Sequence, residues 1–283
     1  MSSIALVGQP NVGKSVIFHR LTGRYVNVSN YPGTTVEVTR GEFRDRTKQT
    51  ILDTPGVLTL PARSEDEQAT AHILLNEKLD ALVQVGDAKN LRRTVQLALL
   101  LAEAGVPMVL ALNMMDEARA RGMDINVAKL AAELGLTVVP TVATGNEGMV
   151  ALTRAIHEAR VPVFRLAYAD EIEATIDDLV LLLPAAHLLP RVIALLYLAG
   201  DKATEEWLAT QNADLFALSA RRDHLQEKFT EPLAEILQRA RIAAAEAVVR
   251  RVVHDTGQLT HGLVQRIGQW SVHRWLGWPI VAL

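Results

Sequence analysis

Between an apolar run at residues 4–7 and a helical pattern carrying Val16, Ile17, Phe18 and Leu21, the chain reads Gly-Gln-Pro-Asn-Val-Gly-Lys-Ser, from Gly8 to Ser15. Strand, glycine loop and helix in that order leave few folds open. A loop of this kind wraps its backbone N–H groups around phosphate oxygens, the glycines allow close approach, and the following helix aims its positive N-terminus at the same anion. In such a loop Val12, Gly13 and Val16 contribute backbone, Lys14 reaches the β- and γ-phosphates, and the Ser15 hydroxyl ligates Mg²⁺.

A chain of 283 residues can build one large or two ordinary domains, and two are expected. The formal net charge of −3 gives no overall basic field, so nucleic acid is not expected as a partner. With no cysteine, disulfides, thiolate metal sites and cysteine nucleophiles are excluded. Met1 runs directly into a strand, so no secretory leader is expected. The most apolar interior stretch, residues 179–199, is broken by Pro184, His187, Pro190 and Arg191 and reads as buried helices rather than a membrane span.

Downstream of the first helix, which Gly23 should cap, residues 27–35 are polar and turn-prone and predict a mobile loop. Val36, Val38 and Phe43 lead into a strand, and residues 50–52 form another that ends in Asp53-Thr54-Pro55-Gly56, the close spacing suggesting an antiparallel pair. An Asp at the carboxyl end of a strand is where a Mg²⁺ partner is needed, and Gly56 offers a backbone N–H to the γ-phosphate. Helix 65–79, strand 81–85, helix 91–104, strand 108–112, helix 127–134, strand 137–140 and helix 149–160 follow. Such alternation predicts a mostly parallel sheet flanked by helices. Two of these strands end in Asn113-Met114-Met115-Asp116 and in Val142-Ala143-Thr144.

The five motifs in this order resemble the signature loops of the small GTP-binding domains, the P-loop GTPase fold. The resemblance implies GTP and GDP as ligands. In the fourth motif the Asp116 carboxylate can accept from both N1–H and the exocyclic amine of guanine, a pairing adenine cannot offer, while Asn113 braces the loops. The Ala143 backbone N–H is expected to contact the guanine oxygen.

Within that superfamily the chain resembles the cytoplasmic N-terminal region of the bacterial ferrous iron transport protein B family. The residues that carry the likeness are Asn-Tyr-Pro-Gly-Thr-Thr-Val-Glu from Asn30 to Glu37, the run Ser64-Glu65-Asp66-Glu67-Gln68, Asp87-Ala88 with Asn90-Leu91, and the spelling Asn-Met-Met-Asp. The resemblance implies that Thr35 ligates Mg²⁺ in the GTP state, that Asp53 holds it through water, and that Asn11 ligates a K⁺ bridging the phosphates. A cation beside the phosphates would neutralise developing charge during hydrolysis. On this reading the catalytic set is Asn11, Lys14, Thr35 and Gly56. Val57 departs from the wider pattern, where many members carry a water-orienting Gln, so hydrolysis should be slow. Glu65, Asp66 and Glu67 are the nearest acidic groups, with a solvated helix start as their simpler reading.

From Tyr168 onward only helical periods stand out, over 172–182, 185–198, 204–210, 214–220 and 231–253, which predicts an all-α domain. Glu171, Glu173, Asp177 and Asp178 read as a solvated face of its first helix and not as an iron site. The expected organisation is a G domain at 1–163, a helical domain at 164–261 that the resemblance links to nucleotide release, and a lead-in to a transmembrane region at 262–283. Three of the four tryptophans, Trp270, Trp275 and Trp278, fall in that last stretch, as suits a membrane interface. The expected address is the cytoplasmic face of the bacterial inner membrane, with contact to the membrane through a C-terminal continuation and a second copy of the chain kept among the partners. Two alternatives share the same loops: a soluble GTPase of ribosome assembly or tRNA modification, and a regulatory GTP-binding module with little turnover.

Overall fold

A computed structural model of the chain describes residues 3–255 apart from 24–25, 32–35, 46–48, 58–60 and 63. The first half is built on β1 (Ser3–Gly8), α1 (Lys14–Thr22), β2 (Val26–Asn30), β3 (Glu37–Glu42), β4 (Thr50–Asp53), α2 (Glu65–Asn76), β5 (Leu79–Asp87) and α3 (Leu91–Ala102). It continues with β6 (Met108–Asn113), α4 (Met115–Ala120), β7 (Met123–Ile125), α5 (Val127–Leu134), β8 (Thr137–Pro140) and α6 (Met149–His157). The helical half has α7 (Asp170–Val180), α8 (Pro190–Leu198), α9 (Lys202–Thr210), α10 (Leu215–Gln226) and α11 (Leu233–Val252), with β9 (Val253–Asp255) at its end.

The main sheet runs in the order β2-β3-β4-β1-β5-β6-β8. Strands β4, β1, β5, β6 and β8 are mutually parallel, and β2, β3 and β4 pair antiparallel. The near-continuous apolar runs of β1 and β6 follow from burial on both faces. Alternation then divides them: Ile4 and Leu6 join Ile17, Phe18, Leu21, Leu152 and Ile156 under α1 and α6. Ala5 and Val7 face the opposite core, which includes α2, α3 and α5 and runs without a break into Ile172, Ile176, Leu195, Leu237 and Val248 of the helical half.

Polar contacts fasten the same junction. Arg191 at the start of α8 donates through Nε to Glu103 at 2.9 Å and through its terminal nitrogens to Glu173 at 2.6 and 2.8 Å. Arg191 hydrogen bonds hold the Glu173 carboxyl down at about 2, against the opposing effect of burial, whereas burial pushes the Glu103 carboxyl up. Glu173 is therefore not a solvated-face residue as the spacing predicts; the partner that draws it inward lies 18 positions away in sequence. Helix α2 meets the helical half through the ring of His187, whose Nε2 lies 2.7 Å from the Leu74 carbonyl oxygen. The Ala62 N–H just before α2 donates to Asp201 at 2.8 Å, and the other oxygen of that buried carboxylate caps α9 by accepting from Thr204 N at 2.9 Å.

Three expectations change. The first half of the predicted loop at 27–35 is strand β2, which covers the outer edge of β3 and whose hairpin is closed by Tyr31 N–H donating to the Val36 carbonyl at 2.9 Å. The helical half also contains a strand: β9 pairs antiparallel with β7, tying the end of α11 back to the first half. Helix α8 starts at Pro190, later than the predicted 185, because Pro at the first turn suits a helix start and not its interior.

Candidate functional site

The carboxyl ends of β1, β4, β6 and β8 bring the predicted motifs to one edge of the sheet. Behind β1, the loop closes with Asn11 at φ 62° and Gly13 at φ 87°. Gly13 is the N-cap of α1 and supplies no side-chain cap, so the first-turn N–H groups of Lys14, Ser15 and Val16 have no intrahelical acceptor. A Cβ on Gly13 would sit 2.4 Å from Asn113 Nδ2, and one on Gly8 would sit 2.4 Å from the Val85 carbonyl oxygen. Neither position has room for a side chain. Asn11 is exposed at the loop's outer turn, and Val12 is buried beneath it.

Lys14 crosses from the head of α1 to the end of β4, where its ammonium donates to Asp53 Oδ1 and to the Thr54 carbonyl oxygen. Ser15 Oγ donates to the other Asp53 oxygen at 3.2 Å. A cationic amine, a hydroxyl and a carboxylate thus meet at the open rim of the loop, the donor set that a phosphate with a hard divalent cation requires. The segment after Asp53 is anchored to β1: buried Thr54 donates through Oγ1 to Leu6 O at 2.9 Å, and Val57 N–H donates to Gly8 O at 2.9 Å. Gly56 lies against the phosphate loop so closely that a Cβ would be 2.8 Å from Pro10 Cγ. Val57 itself is fully buried, facing away from solvent.

Asn113, 3% exposed, is the joint of the site. Its Nδ2 donates to Val12 O at 2.9 Å, and its Oδ1 accepts from Ala143 N at 3.0 Å and Thr141 Oγ1 at 3.2 Å. The turn after it requires Met114 at φ 61°, and the short helix α4 presents Asp116 in its first turn, exposed at the rim. Val142 and Ala143 are buried and Thr144 is exposed.

Several site residues differ from the sequence reading or escape it. The Ala143 N–H, expected near a guanine oxygen, is occupied by Asn113, which leaves the next amide, that of Thr144, at the exposed side of the loop. Glu67 is not solvated; it is 4% exposed and closes a capping box with Ser64, accepting from Ser64 N at 3.2 Å. Arg20 of α1 reaches the carbonyl oxygens of Ala143 and Thr144, a contact that nothing in the spacing signals. Thr35 and the tail carrying Trp270, Trp275 and Trp278 lie outside the described residues. Among the described residues, no group of three or more His, Asp or Glu is placed to hold a metal ion, and no helix is long and apolar enough to cross a membrane.

Comparison with known proteins follows the same outline. Residues 2–156 match the family described as ferrous iron transport protein B, and residues 168–254 match the FeoB cytosolic helical domain. The Fe(2+) transporter FeoB of Escherichia coli strain K12 is 33% identical over 287 residues, covering 98% of this chain and 37% of the relative. A fusion protein of Fe(2+) transport protein A and FeoB from Porphyromonas gingivalis is 34% identical over 300 residues, 99% of this chain and 35% of the relative. The chain thus spans little more than a third of these relatives' length. Among solved structures, the cytosolic domain of L. pneumophila FeoB superposes with a TM-score of 0.79 at 31% identity, covering 90% of this chain and 100% of that one. The cytosolic domain of T. maritima FeoB in its GMPPNP form gives 0.74 at 29%, with the same coverage, and a GDP-bound mutant of S. thermophilus NFeoB gives 0.78 at 31%, again covering 90% and 100%. With both halves matched in order and the phosphate loop, Asp53 and Asn113 converging on one sheet edge, the chain belongs to the ferrous iron transport protein B (FeoB) family.

Proposed function

We propose that this chain binds GTP and GDP, hydrolyses GTP slowly, and forms the cytoplasmic part of a bacterial ferrous iron transporter. The observation that carries the reading is the meeting of Lys14, Ser15 and Asp53 at the phosphate loop while Asn113 ties that loop to residues 141–143. Solved relatives with the same fold are GDP-bound and GMPPNP forms, which supports the guanine nucleotide.

Residues Gly8 and Asn11 to Val16 cradle the phosphates with backbone N–H groups, and Lys14 exchanges its contact with Asp53 for phosphate oxygens. Ser15 and Asp53, already joined by a hydrogen bond, would hold Mg²⁺ together with Thr35. When bound, that ion would neutralise negative charge on the phosphates. Asp116 accepts from the guanine ring, and Val142, Ala143 and Thr144 line its other edge. Buried Val57 cannot orient a water; exposed Asn11 would hold the K⁺ that the family resemblance implies, and that cation, with the Gly56 N–H, would stabilise developing charge. Residues 1–163 form the nucleotide unit and 164–261 the helical unit; residues 262–283 lead toward the membrane, and ferrous iron is the cargo of the whole protein. The match of 168–254 to the FeoB cytosolic helical domain favours this reading over a ribosome-assembly or tRNA-modification GTPase.

Steady-state GTP hydrolysis measured in K⁺ and in Na⁺ tests the enzymatic part. Turnover should be faster in K⁺, and Asn11→Ala should lose that difference while keeping most of its GDP affinity. Rates that ignore the cation, or no phosphate release in either salt, would overturn it.

A further inference from the structure

Helix α1 begins at the phosphate loop and ends beside the loop at 142–144, and one side chain spans the gap. Arg20, in the last turn of α1, donates from Nε to the Ala143 carbonyl at 3.3 Å and from a terminal nitrogen to the Thr144 carbonyl at 3.0 Å. Both acceptors are backbone, so the contact fixes peptide planes and not side chains. In a planar trans peptide the C=O and the following N–H point in opposite directions. Holding the Ala143 carbonyl toward α1 therefore aims the Thr144 N–H away from α1. The preceding amide, Ala143 N–H, already belongs to Asn113.

The rest of the loop constrains this peptide only in part. Asn146 N–H also reaches the Ala143 carbonyl at 3.3 Å, and the loop ends are joined by Val142 and Glu147, which exchange N–H···O bonds at 3.2 and 3.1 Å. Gly145, by contrast, is loosely surrounded: a Cβ there would have nothing nearer than 3.7 Å. The second bond of Arg20 falls on the carbonyl that immediately precedes this open position.

We propose that Arg20 is a positioning residue for the purine ring: by holding the Ala143 and Thr144 carbonyls, it orients the Thr144 N–H toward the six-position oxygen of guanine. This rests on the guanine-nucleotide reading of the site. An oriented donor at that point accepts guanine, which carries an oxygen there, and opposes adenine, which carries an amine. Arg20 is exposed, so water competes for its donors, and the share it contributes is modest.

The test is a cycle of two proteins and two ligands. Affinity and release rate are measured for the unmodified chain and for Arg20→Ala, with GDP and with the diphosphate of 2-aminopurine riboside. That analogue keeps the exocyclic amine for Asp116 but has hydrogen where guanine has its oxygen, and its missing ring proton affects both proteins alike. Arg20→Ala should weaken GDP binding by about fivefold through faster release and leave the analogue within about twofold. Arg20→Lys, able to reach one carbonyl but not to fork, should fall between. Equal weakening of both ligands would make Arg20 a support of the fold alone and overturn the proposal, as would no change for GDP. Failure of the underlying reading is separate: the unmodified chain would then show no preference for GDP over ADP.

Discussion

Replacing Asn113 with alanine removes three hydrogen bonds in one step, to Val12 O, from Ala143 N and from Thr141 Oγ1. All four residues are at most 3% exposed, so water does not take over the broken partners. The Thr141 hydroxyl can rotate to another acceptor, but the Val12 carbonyl and the Ala143 N–H are left buried and unpaired, at about 1–3 kcal/mol each. The sum, about 2–6 kcal/mol, is a large share of the 5–15 kcal/mol or so that holds an ordinary domain folded. Urea unfolding of the nucleotide-free protein, followed by circular dichroism, should therefore show a midpoint far below that of the unmodified chain, at similar slope. Asp116→Ala, three residues on and exposed, is the control: it should stay within about 0.5 kcal/mol while abolishing tight GDP binding. A loss below about 1 kcal/mol for Asn113→Ala, or an equal loss for Asp116→Ala, would refute the assignment of bracing to one residue and base recognition to the other.

Asp116→Asn should weaken GTP and favour xanthosine triphosphate in competition binding, because the amide can donate to the xanthine carbonyl; an unchanged GTP preference would remove Asp116 from the base contact. The Glu173 carboxyl, held near 2 in the folded protein against an ordinary 4.5, contributes stability that is present above 4.5 and is lost as pH falls toward 2. Glu173→Gln should accordingly lower stability at neutral pH and flatten the thermal-stability profile across that acid window, and an unchanged acid limb would contradict the pairing with Arg191.

The site was legible because its chemistry sits where strands end. Apolar runs locate β1, β4, β6 and β8, and the residues that end or follow them, Gly8 to Ser15, Asp53, Asn113 and Asp116 among them, lie at the same edge. Strand β2 was not legible, since Asn27, Ser29 and Asn30 look like a turn and only the unpaired edge of β3 makes them a strand. β9 escaped for a related reason: three residues pair with three others some 130 positions earlier, and no local period records that. The ion pairs of Glu173 and Glu103 with Arg191, and the reach of Arg20 to residues 143 and 144, depend on packing between distant segments. Ala143 shows how fine the limit is: the sequence locates a loop behind β8, but which of two successive amides faces outward is decided by the oxygen of Asn113.

The central claim is that the edge formed by Lys14, Ser15, Asp53 and Asp116 recognises a guanine nucleotide. Titration of the unmodified chain with fluorescently labelled GDP and ADP in Mg²⁺ measures it directly. Saturable binding of GDP, with ADP weaker by at least about a hundredfold, is the predicted result, given two charge-assisted hydrogen bonds to the Asp116 carboxylate that adenine cannot make. Equal affinity for the two, or no saturable binding of either, would contradict it.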